Sequence, residues 1–108
     1  RFDVAFNGTI KGERLNGTIH GVDYLQIRAD GRAELHIHGV ITTEDGAIIS
    51  FFAGGLGRMS EGGMFELREH PFLSTADPKY LWLNELAVWA VGEVDIAAGA
   101  IRVKGYAV

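Results

Sequence analysis

The chain has 108 residues, which is the size of one domain and enough for a core without metal or disulfide staples. Its net charge of -4 argues against a nucleic-acid-binding surface. It has no cysteine, which excludes disulfides, thiolate nucleophiles and sulfur-ligated zinc. No apolar run approaches the roughly 20 residues of a membrane helix. We therefore predict one soluble, cytoplasmic domain over residues 1–108, with no membrane or nucleic-acid partner. Because the first residue is Arg1 rather than Met, we expect further residues upstream.

The first quarter of the chain alternates apolar and polar residues, as strands do. Phe2, Val4 and Phe6 occupy alternate positions and predict a strand that ends at a turn at Asn7-Gly8. The tetrapeptide Asn-Gly-Thr-Ile occurs at 7–10 and again at 16–19, and Asn-Gly favours the positive φ angles of a tight turn or bulge. Residues 22–29 predict the next strand, which ends at the hairpin signal Asp30-Gly31.

The stretch 33–52 carries the sharpest chemical feature of the sequence. Residues 33–43 predict a strand, Glu44-Asp45-Gly46 a turn, and residues 47–53 an antiparallel return strand. Alternation divides the first of these strands into two faces, with Leu35, Ile37 and Ile41 on one and Glu34, His36, His38, Val40 and Thr42 on the other. Two imidazoles therefore lie side by side on one face.

The second half of the chain is less regular. The predictions there are a flexible loop at Gly54–Gly63, a short strand at 64–68 interrupted by His70-Pro71, a loop at 72–79, a central strand at 80–94, a turn at 98–99 and a last strand from Ile101. The loop lacks the Gly-Lys-Ser/Thr of a phosphate-binding loop. Val, Trp and Tyr enrichment favours a strand over a helix at 80–94.

Seven or eight short antiparallel strands with frequent turns and no convincing helix predict an all-β fold. We expect a single antiparallel up-and-down, calycin-like β-barrel rather than a sandwich. Residues 47–53 are apolar on both faces, which predicts that a partner covers the outer face. Self-association is the simplest way to cover it, so a homo-oligomer, dimer or higher, is expected.

Five segments carry a family resemblance, together with Arg68 and the following Pro71. They are GERLNGTI at 12–19, Val22-Asp23-Tyr24 with IRADG at 27–31, TTEDGAII at 42–49, TADPKYLWLN at 75–84 and the closing GYAV. In this order they resemble the domain of unknown function 3237 family of small bacterial and fungal β-barrel proteins. The resemblance covers nearly the whole chain and implies the barrel fold. It begins within the family's N-terminal portion, which implies a chain short of a leading strand or two.

The chain departs from the family pattern at two places. The family's Asp-x-Arg pair followed by an aromatic is replaced by His36-Ile37-His38-Gly39, and its Phe-Glu-Thr by Leu73-Ser74-Thr75. The resemblance thus implies that the polar interior of this barrel carries different residues from those of the family. No activity of a family member is therefore assigned to this chain.

Eight side chains are candidates to share the barrel lumen: Asp23, Tyr24, His36, His38, Glu66, Arg68, Trp82 and Asn84. An imidazole titrates near neutrality and suits a general acid or base, so His36 and His38 are the candidate catalytic residues. Asp23 shares a face with Leu25 and Ile27, and is either a surface residue at a frayed strand end or a carboxylate aimed into a cavity. Asp23 or Glu66 would orient an imidazole.

The remaining candidates would contact a ligand. Arg68 and Asn84 would hold a carbonyl or enolate oxygen. Trp82 would give a flat wall to a planar ligand, and Tyr24 would contact it as well.

Two other interpretations of the histidines stay open. His36 and His38 could present two imidazoles to a metal ion, with a third ligand from His20, His70, Asp23 or Glu66. They could instead lie on a solvated sheet face with no ligand. For Trp82 and Trp89 we expect a place in the core instead.

Taken together, these features predict a small-molecule-binding barrel for a small apolar or aromatic carbonyl compound. Cofactor-independent acid-base chemistry of the isomerase or lyase type would fit such a site, although the sequence leaves catalysis open. The alternatives are a non-catalytic ligand-binding or oligomerisation module, and a barrel that binds a metal through the His-x-His pair.

Overall fold

The computed structural model describes residues 1–60, 62–95, 98 and 100–107. They form one antiparallel sheet in which each strand pairs with the next along the chain. Its strands are β1 (Phe2–Ile10), β2 (Gly17–Ile27), β3 (Ala33–Thr43), β4 (Ile48–Met59), β5 (Met64–Ser74), β6 (Val88–Asp95) and β7 (Ala100–Ala107). A 3-10 helix, Pro78–Glu85, connects β5 to β6. The predicted all-β, up-and-down architecture is confirmed.

The sheet curls into a half-barrel. In the described part of the chain, β1 and β7 are its outermost strands and form no ladder with each other. Close backbone approach at glycine permits the curl: Gly21 faces Gly39 across β2 and β3, and a Cβ on Gly21 would overlap the carbonyl oxygen of His38. Such glycines let a twisted sheet bend sharply toward its concave side.

The core lies on the concave face and has two parts. One cluster consists of Leu35, Ile37, Ala53 and Leu67, and the other of Ile41, Ile49 and Leu83. Leu83 belongs to the 3-10 helix, so this helix packs over the end of the core near the β3–β4 turn. The apolar face of β3 predicted by alternation is thus the inner face.

Asp45 ties that turn to the 3-10 helix. Its carboxylate accepts hydrogen bonds from the hydroxyl groups of Thr43 and Tyr80 and from the Lys79 ammonium group. The helix itself is capped by Asp77, whose side chain accepts a bond from the Lys79 N–H at 2.9 Å. These bonds hold the helix against the barrel end.

Several local predictions are confirmed. The strand predicted at 33–43 has these bounds in the structure. The turns at Asp30-Gly31 and Glu44-Asp45-Gly46 are also present, with φ of 85° at Gly31 and 90° at Gly46. The predicted turn at 98–99 involves Gly99, which lies outside the described residues.

Other predictions are wrong, chiefly where tertiary partners override local signals. Gly54–Met59 is not a loop but the second half of β4, because β3 and β5 both supply ladder partners. Asn7-Gly8 lies inside β1 rather than at a turn. Pro71 does not interrupt β5. The described β5–β6 ladder ends at Glu69, so a proline at position 71 removes no hydrogen bond to β6. The strand predicted at 80–94 is instead the 3-10 helix followed by β6.

Candidate functional site

Two carboxyl groups project from the sheet onto its inner face. Residues directly opposite in an antiparallel ladder point to the same face. Asp23 on β2 lies opposite Ile37, a core residue. Glu69 on β5 lies opposite Gly55 on β4 and Ala90 on β6, and shares the face of Leu67. The curl of the sheet therefore turns both carboxyl groups toward the same interior.

Glu69 is the most deeply buried acidic side chain of the described residues, with 4% of its surface exposed. The Glu69 side chain makes no hydrogen bond within the described part of the chain. In that part, every side-chain oxygen that is fully buried has a hydrogen-bond partner. The carboxyl oxygens of Glu69 are therefore not fully buried and retain contact with accessible space. Burial, together with the negative charge of Asp23, raises the pKa of Glu69 to about 7. Both its acid and its base form are populated near neutral pH.

Asp23 is half-buried and has a structural partner. Its Oδ1 accepts a hydrogen bond of 3.0 Å from the backbone N–H of His36. The β2–β3 ladder is interrupted at this point, between the pair Asp23 and Ile37 and the pair Gln26 and Glu34. Burial raises the pKa of Asp23, while the bond from His36 opposes this. Asp23 thus lies on the inner face within β2 rather than at a frayed strand end.

His36 and His38 lie on the opposite, outer face and are exposed. The His38 ring contacts Tyr24 and Phe52 edge-on, at centroid distances of 5.8 and 5.0 Å. The expectation that both histidines share a lumen with Asp23 is wrong, because the apolar face of β3 turns inward instead. Their roles in proton transfer remain predictions.

Glu66 and Arg68 also lie on the outer face. They line a shallow depression of about 490 Å³ across β5, β6 and β7, together with Glu93, Arg102 and Lys104. This depression is open to solvent and is separated by the sheet from Asp23 and Glu69. Glu66 and Arg68 thus do not join the inner carboxyl pair.

The two candidates on the 3-10 helix have structural partners. The side-chain amide of Asn84 accepts a bond from the Thr75 N–H at 2.8 Å and donates to the Thr75 carbonyl at 2.9 Å. Trp82 packs against the second core cluster, and the Arg14 guanidinium lies 3.8 Å from its ring centroid. Trp82 therefore packs against the core, as predicted, whereas the core prediction for Trp89 is wrong, because its side chain is half-exposed on the outer face.

The histidines do not converge with other ligands on one point. Within the described residues, no three His, Cys, Asp or Glu side chains are grouped so that they could hold an ion. His70 instead contacts the Trp89 ring at a centroid distance of 3.6 Å, and His20 is exposed.

Sequence reasoning missed Glu69. It occupies the same parity as Phe65 and Leu67, so alternation along β5 places it on the apolar face. That signal was lost because the strand was predicted to end at Arg68, ahead of the proline.

The fold and the inner carboxyl pair define a small up-and-down half-barrel with an acid-bearing interior. The chain belongs to the family described as Protein of unknown function (DUF3237), whose sequence model matches residues 2–108, and this confirms the resemblance.

Two solved structures share the fold at 25% sequence identity. One is a beta-barrel like protein from Acinetobacter baumannii AYE, with a TM-score of 0.79. The other is a protein with unknown function from Clostridium acetobutylicum ATCC 824, with a TM-score of 0.80. Each similarity covers 94% of this chain and 73% of the other. A comparison with curated proteins finds no match. In the described residues, no helix has the length and apolar character needed to cross a membrane.

Proposed function

We propose that this chain is a small-molecule-binding β-barrel in which Glu69, assisted by Asp23, transfers a proton on a small apolar or aromatic carbonyl compound. The observation that carries the proposal is the position of Glu69. It is buried among apolar side chains, makes no hydrogen bond within the described residues and lies on the same face as a second carboxyl group. A carboxyl group held in this way is poised to act on a ligand rather than to stabilise the sheet.

The chemistry follows from the two protonation states of Glu69. As a carboxylate it takes the proton from the carbon next to a carbonyl group, and the electron pair moves onto the oxygen as an enolate. In a compound with a carbon–carbon double bond beyond that carbon, the carboxylic acid returns the proton to the far end of the double bond, which moves the double bond into conjugation with the carbonyl group and completes an isomerisation. Burial, together with the negative charge of Asp23, raises the pKa of Glu69 to about 7, where both states are accessible. The apolar inner side chains suit a mostly apolar ligand, and the reaction needs no cofactor.

A non-catalytic module is the second candidate, because the chain's own side chains fill much of the inner face. Leu35, Ala53 and Leu67, for example, are all at most 8% exposed. In such a module Glu69 would be a buried carboxyl group that contacts no ligand. The two functions differ in whether a carbonyl compound reaches Glu69.

Deuterium exchange into simple ketones separates them. The protein is incubated in heavy water with acetophenone, 1-indanone or 2-tetralone, and loss of the α-proton signal is followed by NMR. We expect the wild-type protein to accelerate exchange and Glu69→Gln to abolish the acceleration. Glu66→Gln, a matched change on the outer face of the same strand, should retain it. No acceleration by the wild type, or full acceleration by Glu69→Gln, would contradict the proposal.

A further inference from the structure

The outer face of the half-barrel carries a group of exposed apolar side chains, which we call the outer aromatic surface. Its members are Phe52, Leu56, Phe72, Trp89, Val91 and Tyr106. Their exposed fractions range from 39% for Phe52 to 60% for Phe72. Scattered apolar residues are ordinary on a protein surface, whereas a contiguous group of this kind marks an interaction site.

Ring contacts and strand pairing link the four rings of this surface, whereas Arg68 lies between Leu56 and Val91 in the next row. Phe52 and Phe72 stack with centroids 6.2 Å apart and an interplanar angle of 30°. Trp89 lies directly opposite Tyr106, and its ring contacts His70, two residues from Phe72 on the same face of β5. The four rings therefore extend without a break from β4 to β7.

The charges around this surface are arranged as in a protein interface. The two ladder rows that hold its rings carry three histidines, His36, His38 and His70, and, in the described parts of β3 to β7, no carboxylate. The next row holds Leu56 and Val91 together with three charged residues, Glu34, Arg68 and Lys104, and Glu34 pairs with Arg28 at 2.7 Å. One row further out, Glu66 lies opposite Arg58. An aromatic centre with charged residues restricted to the rim is the usual composition of an interface.

The area of this surface fits a second copy of the chain. An aromatic side chain can bury about 150–250 Å², so four rings that are about half exposed offer on the order of 300–500 Å². Leu56 and Val91, at 49% and 48% exposure, add to this area. A stable interface takes about 800 Å² from each partner, and about 65% of a homodimer interface is apolar, or roughly 500 Å². The outer aromatic surface supplies the apolar share, and the polar rim supplies the rest.

We propose that the outer aromatic surface is the interface of a homodimer, formed by two half-barrels that pack sheet against sheet about a two-fold axis. Antiparallel sheets of the same twist pack face to face at about 10 Å, with their strands about 30° apart. A two-fold axis brings the same patch of both copies together, so one self-complementary surface is sufficient. Each copy carries a net charge of -4, and the central rows lack the carboxylates that would repel a second copy.

The test compares two phenylalanines of equal exposure on different surfaces. Phe72, at 60%, lies in the outer aromatic surface, and Phe2, at 61%, lies on the inner face of the edge strand β1. The mass of wild type, Phe72→Glu and Phe2→Glu is measured by light scattering and sedimentation across the micromolar range. Circular dichroism checks that each variant is folded, and Phe72→Ala serves as a second variant if Phe72→Glu is not.

We expect the wild type and Phe2→Glu to show twice the 11.7 kDa mass of one chain. Phe72→Glu should raise the dissociation constant by at least about 100-fold, because it places a charge at the centre of the interface in both copies. A monomeric wild type at high micromolar concentration would overturn the proposal. So would a dimer that survives Phe72→Glu, or one that only Phe2→Glu dissociates, since the second result would show pairing through the edge strand.

Discussion

Replacing Glu69 by glutamine should change how the stability of the half-barrel depends on pH. The pKa of Glu69 rises from 4.5 to about 7 on folding, because of burial and the charge of Asp23. A carboxyl group whose pKa is raised in the folded state binds its proton more tightly there. Its contribution to stability is therefore complete below pH 4.5 and is lost as the pH rises through about 7.

The magnitude follows from the two pKa values. One pKa unit corresponds to about 1.4 kcal/mol of free energy. The rise from 4.5 to about 7 thus makes the wild-type free energy of unfolding fall by about 3 kcal/mol across this interval. Glutamine has no charge to bury, so this part of the pH dependence disappears in Glu69→Gln.

Urea unfolding followed by circular dichroism measures the effect at several pH values. The informative quantity is the free energy of unfolding of Glu69→Gln minus that of the wild type. Any constant cost of the buried amide cancels when this difference is compared across pH. We expect the difference to grow by about 3 kcal/mol in favour of Glu69→Gln from pH 4.5 to above pH 7.

Glu66→Gln controls for the loss of one negative charge from β5. Because Glu66 is exposed on the outer face, its difference from the wild type should stay nearly constant over the same interval. Parallel curves for Glu69→Gln and the wild type would refute the reasoning. They would mean that folding does not raise the pKa of Glu69.

Three further changes test neighbouring parts of the structure. Asp23→Asn removes a negative charge and should lower the pKa of Glu69, measured by carboxyl carbon NMR; an unchanged or higher pKa would show that the two groups do not interact. Asn84→Ala removes both hydrogen bonds to the backbone of Thr75 and should lower the free energy of unfolding in urea by about 1–3 kcal/mol. An unchanged free energy of unfolding would show that these two bonds do not stabilise the fold. Hydrogen bonds lower the pKa of Asp45, so the stability that its carboxylate contributes is lost as the pH falls below 3.8. Asp45→Asn should therefore make the free energy of unfolding less dependent on pH in that range. An unchanged slope would show that these hydrogen bonds do not stabilise the folded state.

Local sequence patterns predicted β3 and its flanking turns because each signal acts over a few residues. Alternation fixed which side chains of β3 share a face, and that division is confirmed. Gly31 and Gly46 supply the positive φ angles that their turns need. The long apolar run after Asp77-Pro78 misled the interpretation because its Val, Trp and Tyr residues favour a strand, whereas the helix depends on the cap at Asp77 and on Leu83 reaching the core.

By itself the sequence determined the all-β class, the antiparallel order and the pairing of His36 with His38 on one face. Only the tertiary structure decided which face turns inward, because alternation is symmetric and the direction of curl depends on packing across all seven strands. That choice placed the histidines outside and brought Asp23 and Glu69 into one interior. The two carboxyl groups are 46 positions apart in the chain, so their proximity is a consequence of the curl rather than of any local pattern.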